Sequence, residues 1–511
     1  MSLEEAEVVV QDKGGEQNKG GGVGGRSTGL FRTKSIEQLI RDTEKPDTKL
    51  RKELTAGDLT VLGVALIVGV GIFTLTATTA GNIAGPAVSL AFVLAAITCL
   101  LAALCYAEFA STVPVAGSAY TFSYATFGEL VAWIIGWDLM LELALGASVV
   151  AKAWSLYLGE VIGLDARITI DSFQVDWGAI LIAAIIAVLL IRGTKLSSRV
   201  ALVITTIKIS VVVVVVVVGA FYIIPANYSP FIPPPVEDGS AAGVSESLFS
   251  FLTGAGNSQF GWYGLLAAAG LVFFAFLGFD VVATTAEEAK NPQKALPRGI
   301  LGSLAIVTVL YVAVTLVVTG MVSYRELAGD TSTLATAFDI RGITWMKYLI
   351  SYGALAGLTT GLIVIFFGGS RIIFAMSRDG LLPRWLAATG KRGTPVRTTV
   401  LVGVVMAVLA GVFPIGTLEE MVNIGTLFAF TLVSIGVVIL RRTRPDLPRG
   451  FRVPLVPLVP VLAVVACLWL MLNLSVETWI RFVVWLALGM VIYFTYSRRH
   501  SVMEGRSRDE A

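Results

Sequence analysis

The stretch Phe273-Phe274-Ala275-Phe276-Leu277-Gly278-Phe279-Asp280 lies in the middle of an apolar segment that runs from about Trp262 to Thr285. A carboxylate and a glycine at bilayer depth make it a poor plain lipid anchor, because a charge at a helix centre costs about 2.5–3.5 kcal/mol on insertion scales. An earlier segment, about Asp58 to Ala80, has a matching weakness in Gly63, Gly69 and Gly71, the last two within Gly69-Val70-Gly71-Ile72-Phe73. Two glycine-interrupted hydrophobic segments at corresponding places in two halves of a chain point to a transporter's binding site near the bilayer midplane. The rest of the chain reads as scaffold, gate or coupling device around these two breaks.

Composition sets the class. Of 511 residues, 55% are hydrophobic and 14% charged, against about 25% charged in a soluble domain, and the mean hydropathy is +0.80. This is an all-α polytopic membrane protein whose solvent is a lipid bilayer. Cys99, Cys105 and Cys467 all lie in apolar runs and read as small buried hydrophobes. The one histidine, His500, sits in the polar C-terminal tail, which removes the commonest metal ligand and the usual general base. No Ser/His/Asp, Cys/His or metal constellation can be assembled, so the chain is not read as an enzyme and no cofactor or metal is expected. It carries no Gly-x4-Gly-Lys-Ser/Thr loop, which excludes ATP as the driving ligand, and no nucleic-acid partner is expected.

Twelve spans are expected, at about 58–80, 86–108, 127–158, 177–192, 197–224, 262–285, 300–322, 346–376, 398–413, 418–440, 455–473 and 479–496. Each is near the length that a hydrocarbon core of about 30 Å demands. The Val211 to Val218 run is β-branched, yet in lipid a helix is the open-ended way to satisfy its backbone. Basic residues test the count. With the N-terminus in the cytoplasm, expected inner segments hold Arg192, Lys195 and Arg199, Lys290, Lys294 and Arg298, six residues from Arg371 to Arg397, and five from Arg441 to Arg452. The expected outer loop 225–261 has neither lysine nor arginine, and only the loop with Arg325, Arg341 and Lys347 dissents. Both termini are therefore expected inside.

These spans organise the chain. Residues 1–57 form a cytoplasmic tail, glycine-rich up to Gly29, with a short amphipathic helix at Leu30 to Ile40 as one reading and a solvated helix as the other. A first five-helix repeat (58–224), an outer loop (225–261) and a second five-helix repeat (262–440) follow. Residues 441–496 add two spans and 497–511 a second cytoplasmic tail. Because five is odd, the second repeat enters the membrane from the opposite side and is inverted.

At the first break, Gly69, Val70, Gly71 and Ile72 should expose N–H groups at a half-helix N-terminus, which suits a carboxylate. At the second, carbonyls freed around Phe274, Ala275, Phe276 and Leu277, with Phe279 beyond, can accept from an ammonium. A zwitterionic α-amino acid fits the pair, whereas the bland alternative is that the glycines only allow close packing. Lys208 lies about 16 Å inside the fifth span at the α-helical rise. It is a candidate proton carrier, charged when it holds the first break's carbonyls and neutral when it releases them; a fixed cation in place of a structural sodium ion is the other reading. Glu142 is deep enough to face the substrate's side chain or to partner a cation, while Asp138, one turn earlier, reads as a solvated anchor near the aqueous boundary. Phe273, Gly278 and Asp280 are gating or structural, Asp280 either capping the inner half-helix or touching the ligand. Glu287 and Glu288 mark either a cytoplasmic exit or a solvated face. Glu108 and Glu129 flank a loop with Pro114 and Gly117, which should lie at the outer end of the second span or fold back into the membrane, a choice that the residues alone leave open.

Several motifs together resemble the cationic amino acid transporter branch of the amino acid–polyamine–organocation superfamily. They are Leu30-Phe-Arg-Thr-Lys-Ser35, Gly69 to Phe73, Tyr106-Ala-Glu-Phe-Ala110, Gly117-Ser-Ala-Tyr120, Gly136 to Glu142, Phe273 to Asp280, Ala286 to Pro292 and Ser377 to Pro383. The likeness runs from about residue 30 to the twelfth span. It implies a LeuT-type five-plus-five fold and secondary transport of L-amino acids across the plasma membrane by alternating access. It further implies proton coupling through Lys208, substrate contact by Glu142, and a cytoplasmic position for the Pro114–Gly117 loop. Leu143 departs from the family's Leu-Glu-Tyr pattern. A proton-coupled symporter is the leading expectation; an exchanger, a carrier of cationic amino acids or polyamines, and a nutrient sensor of the same fold are the alternatives.

Overall fold

The computed structural model of the chain describes residues 54–113, 118–170, 173–192, 198–236, 246–254, 259–329, 333–388 and 395–502. The expected tail and amphipathic helix before residue 54, Pro114 and Gly117, the side chain of Glu287 and residues 503–511 lie outside them.

Every expected apolar segment is helical. Helix α1 (Ala56–Ile67) starts on a capping box in which Thr55 and Asp58 bond each other's backbone N–H groups, answering two of the donors that a helix start leaves free. The chain bends at Val68 and Gly69, then returns to helix through two wide π-type turns, Gly71–Leu75 and Ala80–Ala84. Helix α2 (Val88–Thr112) follows after a tight turn at Gly85–Ala87. Next come α3 (Ser118–Thr126), α4 (Glu129–Ile162), α5 (Trp177–Ile191) and α6 (Ser198–Ala220), the last with the Val211 to Val218 run inside it. A short α7 (Leu248–Thr253) precedes α8 (Gly261–Val272) and α9 (Phe279–Thr284), which share one broken segment. The chain continues through α10 (Pro292–Met321), α11 (Leu334–Ile340), α12 (Thr344–Arg378), α13 (Val396–Val412) and α14 (Ile415–Thr443) to α15 (Leu458–Leu472) and α16 (Val476–Ile492). Among the described residues, eight helical runs are long and apolar enough to cross a membrane, and α1, α5, α13 and α15 are shorter apolar helices.

Two features depart from expectation. Helix α10 begins at Pro292 rather than near residue 300, because proline at a first helical position forfeits no hydrogen bond. An antiparallel ribbon, β1 (Arg167–Ile170) against β2 (Phe173–Asp176), links α4 to α5. It pairs alternating polar and apolar residues too few to register as a span, and Arg167 beside Asp165 holds that carboxyl below the usual carboxylate range.

The helices pack as two groups. Helices α1, α2 and α9 pack on α10 and α8 packs on α2, while α4, α5, α12 and α13 all touch one another and α14 packs on both α2 and α4. Lipid tails are as apolar as leucine, so close fit rather than water exclusion holds such helices together. Gly63 of α1 shows the fit: a Cβ there would run into the Ser303 side chain of α10. Outward-facing Phe221, Val309 and Val484, all more than 60% exposed, belong to the surface that lipid covers.

Polar locks sit at the two ends. At the end holding Leu54 and Val502, Arg441 of α14 grips Glu108 of α2 at 2.8 and 2.5 Å, and the Val453 N–H donates to the same carboxylate at 2.7 Å. Glu129 accepts from Tyr124, Tyr493 and Ser501, so both acids are structural. Leu54 also pairs with the strand-like turn after α9, through Leu54 N–H to Glu288 O at 3.0 Å and Lys290 N–H to Leu54 O at 2.9 Å. At the ribbon end, Lys347 bridges Asp339 at 2.8 Å and Glu160 at 3.2 Å.

Candidate functional site

A bent helix frees carbonyls at one side of the bend and N–H groups at the other. At the first break Val68 is extended (φ −68°, ψ 95°), which frees the carbonyls of the last turn of α1. The Lys208 ammonium donates to Ala65 O and, at 2.7 Å, to Val68 O. Lys208 is 2% exposed, its stem lies along Gly357 of α12, and no carboxylate among the described residues is in ion-pair range of it. Beyond the bend, Val70, Gly71 and Ile72 open the new helix, where N–H groups have no partner within the helix.

The second break lies against the first. Helix α8 ends at Val272, a 3-10 turn takes Phe273–Phe276, Leu277 is extended, and Gly278 has φ 116°, a conformation that a side chain resists. Close approach explains Gly71, since a Cβ there would strike Ala275. Asp280 accepts from the Gly278 N–H at 3.3 Å and so caps α9. Two residues that sequence reasoning missed hold these freed groups. The Tyr311 hydroxyl of α10 lies 2.7 Å from Ile67 O and 2.9 Å from Ala275 O, one carbonyl from each break. Asn423 of α14 donates both amide protons to the last carbonyls of α8, Gly270 at 3.0 Å and Leu271 at 2.9 Å. A tyrosine and an asparagine in the middle of otherwise apolar spans were the available signals.

The side chains around the breaks divide by what they touch. Phe273 packs edge-on against Phe430, Phe279 against both Tyr106 and Phe430, at centroid distances of 5.0–5.9 Å, and Phe276 packs against Phe92 and Tyr311. These rings are framework, and the groups that their residues present to the breaks are main-chain ones. Phe274 is 8% exposed and Ala275 is buried beside Gly71. Glu142 is buried beside Asp280 and Thr426, with Oε2 unpartnered. The expectation for Asp138 is corrected: it is 0% exposed, neither oxygen has a partner, and it faces Gly425 of α14. Its place on α4 opposite α14, rather than at the helix end, takes it away from water. His500 stacks on Tyr496 at the far end of the bundle and takes no part.

Residues 54–495 match the family model described as amino acid permease. A branched-chain amino acid permease of Bacillus subtilis is 44% identical over 92% of this chain and 98% of its own length. A methylthioribose transporter of the same organism is 42% identical over 93% and 99%, respectively. Arabidopsis thaliana supplies a vacuolar cationic amino acid transporter that is 36% identical over 82% of this chain and 68% of its own.

Proposed function

The chain belongs to the amino acid permease family, and from that premise we propose that it is a proton-coupled symporter of neutral L-amino acids. The observation that carries the reading is the cation on the first break: Lys208 holds Ala65 O and Val68 O from inside the bundle, and no carboxylate among the described residues neutralises it. Charge-assisted bonds are about twice as strong as neutral ones. Protonated, Lys208 therefore fixes α1 against α6; neutral, it lets the two part. Substrate carboxylate meets the N–H groups of Val70 to Ile72, and its ammonium meets carbonyls of the Phe273 to Leu277 turn. Apolar packing around the breaks and the apolar substrate in the name of the 44% identical relative favour a neutral side chain, with Glu142 beside it.

The architecture proposed for this cycle is twelve spans in a LeuT-type five-plus-five arrangement. Helices α1 to α6 make one repeat (58–224) and α8 to α14 its inverted partner (262–440), with α15 and α16 appended. The two packing groups suit a bundle that rocks against a scaffold. Arginines clustered at the Leu54 and Val502 end favour a cytoplasmic position for that end and for both termini, with the ribbon outside, and the membrane proposed is the plasma membrane.

Uptake of a labelled panel into proteoliposomes, with and without an inward proton gradient, tests the reading for wild type and Lys208→Ala. Gradient-accelerated uptake of neutral amino acids that the variant loses supports it. Uptake indifferent to the gradient but driven by internal amino acid makes the protein an exchanger and Lys208 a fixed cation. The panel includes methylthioribose, the substrate named for a 42% identical relative; selective uptake of it displaces the amino acid assignment.

A further inference from the structure

Along one face of α14, Glu419, Asn423 and Thr426 follow at helical spacing toward Glu142 and Asp138 of α4. All five are more than nine-tenths buried, at 3%, 0%, 1%, 8% and 0% exposure. Glu419 Oε1, Asn423 Oδ1, Glu142 Oε2 and both Asp138 oxygens have no hydrogen-bond partner. What they lack is one-sided, for every orphan is an acceptor oxygen. Asn423 spends both amide protons on Gly270 and Leu271. The Thr426 hydroxyl lies 3.0 Å from Val422 O and also beside Glu142, so its single proton serves one of the two at a time. Nor is a cation at hand: the charged groups beside these carboxyls are Asp280 and Asp138 at Glu142 and Glu420 at Glu419, and among the described residues no lysine or arginine pairs with them. A buried ionised carboxylate with neither donor nor cation is prohibitive. Missing hydrogens can come from protons on the carboxyls themselves and from water bridging one turn to the next.

We propose that this face of α14, with Asp138 and Glu142, is a proton-holding, hydrated route from the ribbon end to the centre, separate from Lys208. Glu419 is its outer member, Asn423 Oδ1 accepts and the Thr426 hydroxyl both accepts and donates along the way, and Glu142 and Asp138 are the inner store. The inference rests on the proton-coupled reading above, and its ligands are water and exchangeable protons.

Infrared difference spectroscopy of the reconstituted full chain at neutral pH reads the protonated-carboxyl carbonyl band directly, and liposomes loaded with a pH-sensitive dye read proton entry. The expected result is a wild-type band that shifts on transfer to heavy water and shrinks in both Asp138→Asn and Glu419→Gln. Substrate-driven proton entry falls about a hundredfold in Glu419→Gln, the lower end of what a positioned proton carrier supplies, while substrate counterflow in that variant is retained and shows that it folds. Absence of the band at neutral pH, or a band untouched by both substitutions, overturns the proposal. Wild-type protein that shows the band and its loss but no substrate-driven proton entry refutes symport while upholding the proton-holding face.

Discussion

Tyr311→Phe removes one oxygen and leaves the ring, which keeps its contacts with Phe92 at 5.6 Å and Phe276 at 5.3 Å. The hydroxyl has one proton and two carbonyls in range, Ile67 O at 2.7 Å and Ala275 O at 2.9 Å. Its loss therefore deletes one bond's worth of donation but unties both breaks. A buried carbonyl left without a partner costs about 1–3 kcal/mol, a factor of about 5 to 150 at 1.4 kcal/mol per tenfold. The cost falls on the arrangement seen here, in which Gly71 and Ala275 abut, so arrangements that part the breaks gain by the same factor. Two assays read this: thermal unfolding of the purified protein, where a lowered midpoint is expected, and substrate affinity by competition, where a loss of similar size is expected. Tyr311→Ala, which also removes the ring, should cost more on both scales. A Tyr311→Phe protein that matches wild type in midpoint and affinity would refute the idea that this hydroxyl ties the breaks.

Gly278→Ala forces a side chain into φ 116°, with a new Cβ 3.2 Å from the Leu66 Cβ, so a loss of about 1–3 kcal/mol from strain alone is expected; an unchanged unfolding midpoint speaks against the strained turn. Glu108→Gln leaves Arg441 and Arg449 without their carboxylate. Breaking a buried pair costs about 3–5 kcal/mol, and because Arg441 is partly exposed the expected loss is nearer 2 kcal/mol, seen as a lower denaturation midpoint that added salt narrows only slightly.

Helix positions were legible because lipid leaves the backbone few choices: even eight consecutive valines, Val211 to Val218, are helical in α6. The two breaks were legible for the complementary reason, since glycines in an apolar run mark where helix geometry is given up. What the local pattern hides is contact across the bundle. Tyr311 and Asn423 stand out as polar groups in apolar spans, but their partners emerge only when the fold brings carbonyls from 244 and 153 residues away within reach. Asp138 was misjudged for a similar reason. Its distance from the helix start suggested water, yet the partner face of α14 covers it, and depth along a helix says nothing of which neighbour lies opposite. The ribbon after α4 is too short for its alternation to stand out from a loop.

The chain's last described turn carries a lesson about order of assembly. Ser501 donates to Glu129 at 2.6 Å, and the Val502 N–H to Asp379 O at 3.1 Å. Glu129 thus enters the membrane 372 residues before the hydroxyl that completes its coordination is synthesised. Throughout translation that acid must rely on nearby Tyr124, and α4 cannot reach its final stability until α16 has been threaded and docked. Insertion machinery therefore handles an unfinished α3–α4 corner for the 372 residues of synthesis that follow Glu129, and a ribosome stalled before Ser501 exposes that corner to quality control.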